Sequence, residues 1–200
     1  MSDEISAPMK TLVKTLAAVV YGQGEDANRV VADFAEELSR QGVRLGGAVQ
    51  ITAGAVDCGC PDTHVLDLET GVRIPILQDL GKQSQSCRAD PAALAEVAAL
   101  VTQALARRPD LLIINRFAKL EAAGQGMIDE IGAAAASGIP TLLSVPDRFL
   151  KEWNAFALGL DEQIACTPEA LRRWWQAVSG RIPQEAAPQA NGPQKRAALG

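Results

Sequence analysis

The sequence predicts an α/β fold, a doubly wound and mostly parallel sheet with an inserted β-hairpin. Three observations lead there. Short apolar runs alternate with segments whose apolar residues recur every three to four positions. A glycine turn joins the first apolar run to the first helical segment, and Gly42, Asp90-Pro91 and Gly138 punctuate later junctions. Hydrophobic residues make up 48% of the 200, enough for one sizeable core. Repeated βα units of this kind give right-handed crossovers between parallel strands.

Leu16–Tyr21 is a continuous apolar strand, and residues 28–41 follow as a helix with Val30, Val31, Phe34 and Leu38 on one face. A second strand covers Val43–Thr52. Val65-Leu66-Asp67-Leu68, the turn Glu69-Thr70-Gly71 and Val72–Leu77 read as the hairpin, within an insertion of about 55–88. Asp90 suits a helix N-cap and Pro91 the first helical position. The stripe Leu94, Val97, Ala98, Val101, Leu105 then has the spacing of one buried helical face. Residues 110–115 (DLLIIN) form a central parallel strand by composition. A helix over about 125–137 ends at Gly138, and 139–145 (IPTLLSV) is another buried strand. Helical patterns at 147–158 and 168–178 complete the series, the last with Thr167 as cap and Pro168 in its first turn. Residues 1–14 read as a flexible arm and 181–200, rich in Pro, Ala, Gln and Gly, as a disordered tail, leaving one domain over 15–180.

Charge and composition narrow the function. The formal net charge is −5 and aromatics are 4%, so a basic, aromatic face for nucleic acid is not expected. No apolar run approaches the roughly 18 residues of a membrane span. Asp3, Glu4 and Lys14 with no A-x-A site argue against a signal peptide, and cysteines in such a chain imply a cytoplasmic, reducing setting.

Residues 16–29 read as buried strand, glycine turn and helix start, the architecture of a Walker A phosphate loop, G-x-x-x-x-G-K-[ST]. Counting from Gly22, past Gln23 and Gly24, the second glycine position holds Ala27, the lysine position Asn28 and the hydroxyl position Arg29. The gripping cation and the magnesium-holding hydroxyl are therefore replaced. Glu25 and Asp26 stand at the mouth, where they would repel a triphosphate and can cap the helix themselves. One reading is a strand-to-helix turn capped by its own acids; the other is an altered nucleotide or oxyanion site with Arg29 as the cation. Hydrolysis through this loop is not expected, because asparagine cannot neutralise charge developing on the phosphates.

The stretch Asn115-Arg116-Phe117-Ala118-Lys119-Leu120-Glu121 stands where an acid would order magnesium in a P-loop NTPase. It resembles a neutralised form of the D-E-I-G-K-M-E signature of the small nucleoside-triphosphatase family related to thermophilic archaeal enzymes. Lys119 and Glu121 match the later positions, while Asn115 and Arg116 replace the acids. More closely, the chain resembles the bacterial family known as domain of unknown function 2478 over most of 14–160. The elements that carry this are Tyr21-Gly22-Gln23-Gly24, Cys58-Gly59-Cys60, residues 66–71 (LDLETG), 78–81 (QDLG), 86–90 (SCRAD) and 114–121 (INRFAKLE). The resemblance implies a P-loop NTPase-like fold and an association with molybdenum uptake or nitrogenase functions, with no assigned reaction.

Cys58, Cys60, His64 and Cys87 offer thiolate and imidazole, the ligands of a soft or borderline metal, and in principle of a tetrahedral zinc site. The C-x-C spacing is not the usual C-x₂-C, and buried thiols with a hydrogen-bonded histidine account for the same residues. A cysteine–histidine nucleophile lacks a visible third member. In open parallel sheets ligands sit at the carboxyl ends of strands, where Arg29, Arg88, Arg116 and Lys119 can converge. Arginine forks suit phosphate or a tetrahedral oxyanion such as molybdate. Trp153, Trp174 and Trp175 are assigned to core or interface.

The combined expectation is a cytoplasmic accessory or regulatory protein that binds a nucleotide or oxyanion, with or without a protein partner and with little or no hydrolysis. The expected contacts are Gly22, Gln23, Gly24, Asn28, Arg29, Asn115, Arg116, Lys119 and Glu121. The alternatives are a metal or thiol protein using the cysteine cluster, and a weak nucleoside-triphosphatase.

Overall fold

A computed structural model describes residues 14–55, 61–77 and 90–180. In chain order the elements are β1 (Leu16–Tyr21), α1 (Ala27–Arg40), β2 (Leu45–Ala55), β3 (Pro61–Asp67), β4 (Arg73–Pro75), α2 (Pro91–Ala106) and β5 (Leu111–Arg116). There follow α3 (Lys119–Ala122), α4 (Ile128–Ser137), β6 (Thr141–Pro146), a 3-10 turn at Asp147–Phe149, α5 (Leu150–Ala157), β7 (Asp161–Ala165) and α6 (Pro168–Ser179). The seven strands form one sheet in the order β4-β3-β2-β5-β6-β1-β7. From β2 through β7 every neighbouring pair is parallel.

The alternation of side chains along each strand shows why both faces are covered. Leu16 and Ala18 of β1, Leu112 and Ile114 of β5, and Leu143 and Val145 of β6 pack with α2, α4 and α5. Their sequence neighbours Ala17, Val19, Leu111, Ile113 and Leu142 pack on the opposite face with α1 and α6. A strand buried on both faces is mostly apolar, as these three segments are; Thr141 and Ser144 of β6 are the buried polar exceptions, and β5 turns polar only at its end, Asn115-Arg116. Trp153 and Trp174 are buried, one in each layer.

The hairpin is joined to the main sheet. β2 pairs with β5 only over Leu45–Gly47, then continues as the antiparallel partner of β3, which in turn pairs with β4. β2 thus outruns the expected Val43–Thr52 because its second half belongs to the meander. In α2 the buried face is Ala93, Val97, Val101 and Ala104, with Leu94, Ala98 and Leu105 half-buried at its border. The expected helix over 125–137 is shorter. Gly124 and Gly126 take φ of +73° and +64°, so a separate turn α3 precedes α4, which stops at left-handed Gly138.

β7 had no counterpart among the expected elements. It is a short edge strand in which only Asp161 and Ile164 are buried. Asp161 is an anchor: its Oδ2 accepts from Trp153 Nε1 at 2.8 Å, and its carbonyl accepts from Lys14 Nζ at 2.8 Å. No helix among the described residues is long and apolar enough to cross a membrane.

Candidate functional site

The carboxyl ends of β1, β5, β6 and β7 face one edge of the sheet, and the loops that leave them form the candidate site. β1 ends opposite Pro146 of β6, in the register Val20–Val145 and Tyr21–Pro146. β6 lies between β1 and β5, so the β5 end is two strand spacings, about 10 Å, from the β1 end. The strand–turn–helix at 16–30 and the 110–115 strand therefore end at the same edge of the sheet, the edge at which open parallel sheets form their ligand crevice.

After β1 the chain turns through Gly22–Asp26, with Gly24 at φ +91°, a backbone state glycine adopts without strain. Glu25 N donates to Gly22 O at 3.3 Å, and the Glu25 side chain folds back so that Oε2 accepts from Gly22 N at 2.7 Å. Asp26 is the N-cap of α1, its Oδ1 accepting from Arg29 N at 3.0 Å. Both acids thus satisfy loop and helix amides. Gln23 and Gly24 are exposed and Asn28 half-buried. The Arg29 guanidinium runs along α1 to Asp33, 3.7 Å away and one turn on, with both side chains exposed. It pairs within the helix surface.

On the β6 side, a Cβ placed on Gly22 would lie 3.3 Å from Asp147 Oδ2, so a second carboxylate stands over the same glycine. Cys166, just past β7, also faces this mouth. Burial, and then the charges of Glu25 and Asp26, push its thiol from its ordinary 9.0 up to about 11. Cys166 is packed in the core, and it senses the acids of the loop.

On the β5 side the balance is basic. The ladder to β6 is irregular between Ile114 and Arg116, with Asn115 at the bulge, and Phe117 N donates to Ser144 O at 3.0 Å. Arg116 is half-buried and Lys119 is exposed at the start of α3. Arg148, on the turn after β6, lies 5.2 Å from the Phe149 ring centroid. Among the described residues no carboxylate pairs with Arg116, Lys119 or Arg148. Glu121 has a different task. It is buried, with Oε2 accepting from Ala118 N at 3.0 Å and Oε1 from Met127 N at 3.1 Å. This clamps the loop that carries Lys119, and any Cβ on Gly126 would overlap the carboxylate.

Cys58, Cys60, Cys87 and Arg88 lie outside the described residues. His64 sits on β3, opposite Ile51 of β2 and Pro75 of β4, half-buried in the antiparallel part of the sheet. No group of three or more His, Cys, Asp or Glu side chains suited to a metal ion occurs among the described residues.

This architecture is an α/β sheet of P-loop NTPase type. Two solved structures share it: a human cancer-related nucleoside triphosphatase, 13% identical with a TM-score of 0.53, over 86% of this chain and 99% of that one. The other is THEP1 from the hyperthermophile Aquifex aeolicus, 14% identical with a TM-score of 0.57, over 81% and 95% respectively. The chain belongs to the family described as protein of unknown function (DUF2478), which matches residues 16–174. It is also 39% identical over 170 residues to a protein of Bradyrhizobium diazoefficiens named molybdenum import ATP-binding protein ModC 2. That match takes in 84% of this chain and 19% of the relative, so the chain corresponds to a minor part of that longer polypeptide.

Proposed function

We propose that this protein is an accessory or regulatory subunit that binds a nucleotide or a tetrahedral oxyanion in the crevice and does not turn it over rapidly. The observation that carries this reading is the set of cations without a described carboxylate partner, Arg116, Lys119 and Arg148, on the loops leaving β5 and β6. A guanidinium and an ammonium left unpaired at the carboxyl edge of a parallel sheet attract phosphate-like groups. The Gly22–Asn28 loop supplies backbone N–H donors beside them.

The same residues argue against rapid hydrolysis. Asn28 cannot act as the gripping cation, Arg29 cannot ligate magnesium, and Asn115 has no charge with which to order a metal or polarise water. The donor set suits the anion better than it suits a resident metal. The ModC 2 relative favours a role beside molybdenum import, with molybdate or a nucleotide as ligand and an ATP-binding transport protein as partner. Equilibrium titration with ADP, ATP, phosphate and molybdate, each with and without magnesium, tests the reading. Saturable binding of at least one ligand with phosphate release at background is expected; turnover comparable to an active NTPase would replace the accessory role with an enzymatic one.

A further inference from the structure

The loop's own acid holds one of the loop's backbone amides. Gly22 N is the first amide of the turn, and Glu25 Oε2 holds it at 2.7 Å. The contact is charge-assisted and local, three residues in sequence, so the carboxylate has a high effective concentration at the amide. Asp147, from a different element, brings a second carboxylate over Gly22. No cation among the described residues pairs with Glu25 or Asp147, since Arg29 is directed to Asp33. The Glu25 side chain is exposed, so it can leave the loop without losing apolar burial.

We propose that Glu25 is a tethered competitor: its carboxylate autoinhibits the loop by holding the Gly22 amide, and a phosphate-like ligand binds only by displacing it. This rests on the reading of the crevice as an oxyanion site and adds what regulates it. The basic β5 side recruits the ligand, while occupancy of the β1 loop waits on release of Glu25. A partner that supplied a cation to Glu25 would open the loop without touching the ligand.

The test compares the wild type with Glu25→Ala and Asp147→Ala by titration with inorganic phosphate and ADP, following the Gly22 amide resonance by NMR. Asp147→Ala is the matched control, since it removes a charge beside Gly22 but not a hydrogen bond to its amide. Glu25→Ala is expected to tighten binding about tenfold or more, the size of one charge-assisted hydrogen bond. Asp147→Ala is expected to change it less than about threefold, as a screened exposed charge does. In the wild type the Gly22 resonance should move as ligand displaces Glu25. Equal affinity of wild type and Glu25→Ala overturns the competitor and leaves the oxyanion reading standing. An equal gain in both variants assigns the effect to net charge and also overturns it. Binding by none of the proteins overturns both readings. If Glu25→Ala is less folded by circular dichroism, Glu25→Gln, which keeps the side-chain shape, takes its place with the same expected sign.

Discussion

At Glu121 two backbone amides from opposite ends of a loop meet one buried carboxylate. Replacing it by alanine leaves the Ala118 and Met127 amides without an acceptor. The expected loss is about 1–3 kcal/mol, read as a lower urea midpoint with an unchanged slope. Glu121→Gln keeps an acceptor and should lose less; equal stability of all three proteins would mean water replaces the carboxylate. The role was only partly legible in sequence. Lys119 and Glu121 stand out through their resemblance to a nucleoside-triphosphatase signature, which suggests ligand contact for both. A capping carboxylate and a ligand-binding one look alike until the fold decides which amides are near. Arg29 shows the same limit, because an Asp four residues ahead on a helix is as near as a ligand. Glu25 and Asp26 were readable as self-capping acids, since an acid beside a glycine turn has its own amides within reach.

Among the elements, buried parallel strands were the plainest to read. β1, β5 and β6 are dominated by apolar residues because they are covered on both faces. The caps at Asp90 and Thr167 were equally plain, and each accepts from an amide of its first turn. β7 was not, since an edge strand with two buried positions in five leaves no apolar run or strict alternation. What holds β7 at the edge beyond its ladder to β1 is Asp161. Asp161→Ala should strand the buried indole N–H of Trp153 and cost about 1–3 kcal/mol. It should also alter the near-ultraviolet circular dichroism of the tryptophans; an unchanged spectrum and melting temperature would show that the indole does not need this acceptor.

For the molecule as a whole, strand order determines which chemistry meets. With β6 between β1 and β5, Glu25 and Asp26 of the β1 loop lie across one strand from Arg116 and Lys119 at the end of β5, and the turn after β6 carries both Asp147 and Arg148. A doubly wound sheet could be foreseen from alternating patterns, but this order could not, because pairing between distant strands leaves no local trace. The meander of β2, β3 and β4 extends the opposite edge and keeps His64 away from the crevice, on the antiparallel side. The proposed binding mode follows from this division: a phosphate-like ligand held on the β5 side by side chains and not by a lysine of the loop. The most direct measurement is the affinity of the Arg116→Ala/Lys119→Ala double variant for whichever ligand the wild type binds. A weakening of about tenfold or more with an unchanged melting temperature is predicted, since each cation contributes a charge-assisted contact. Undiminished affinity in that variant would rule out a grip on the ligand by Arg116 and Lys119.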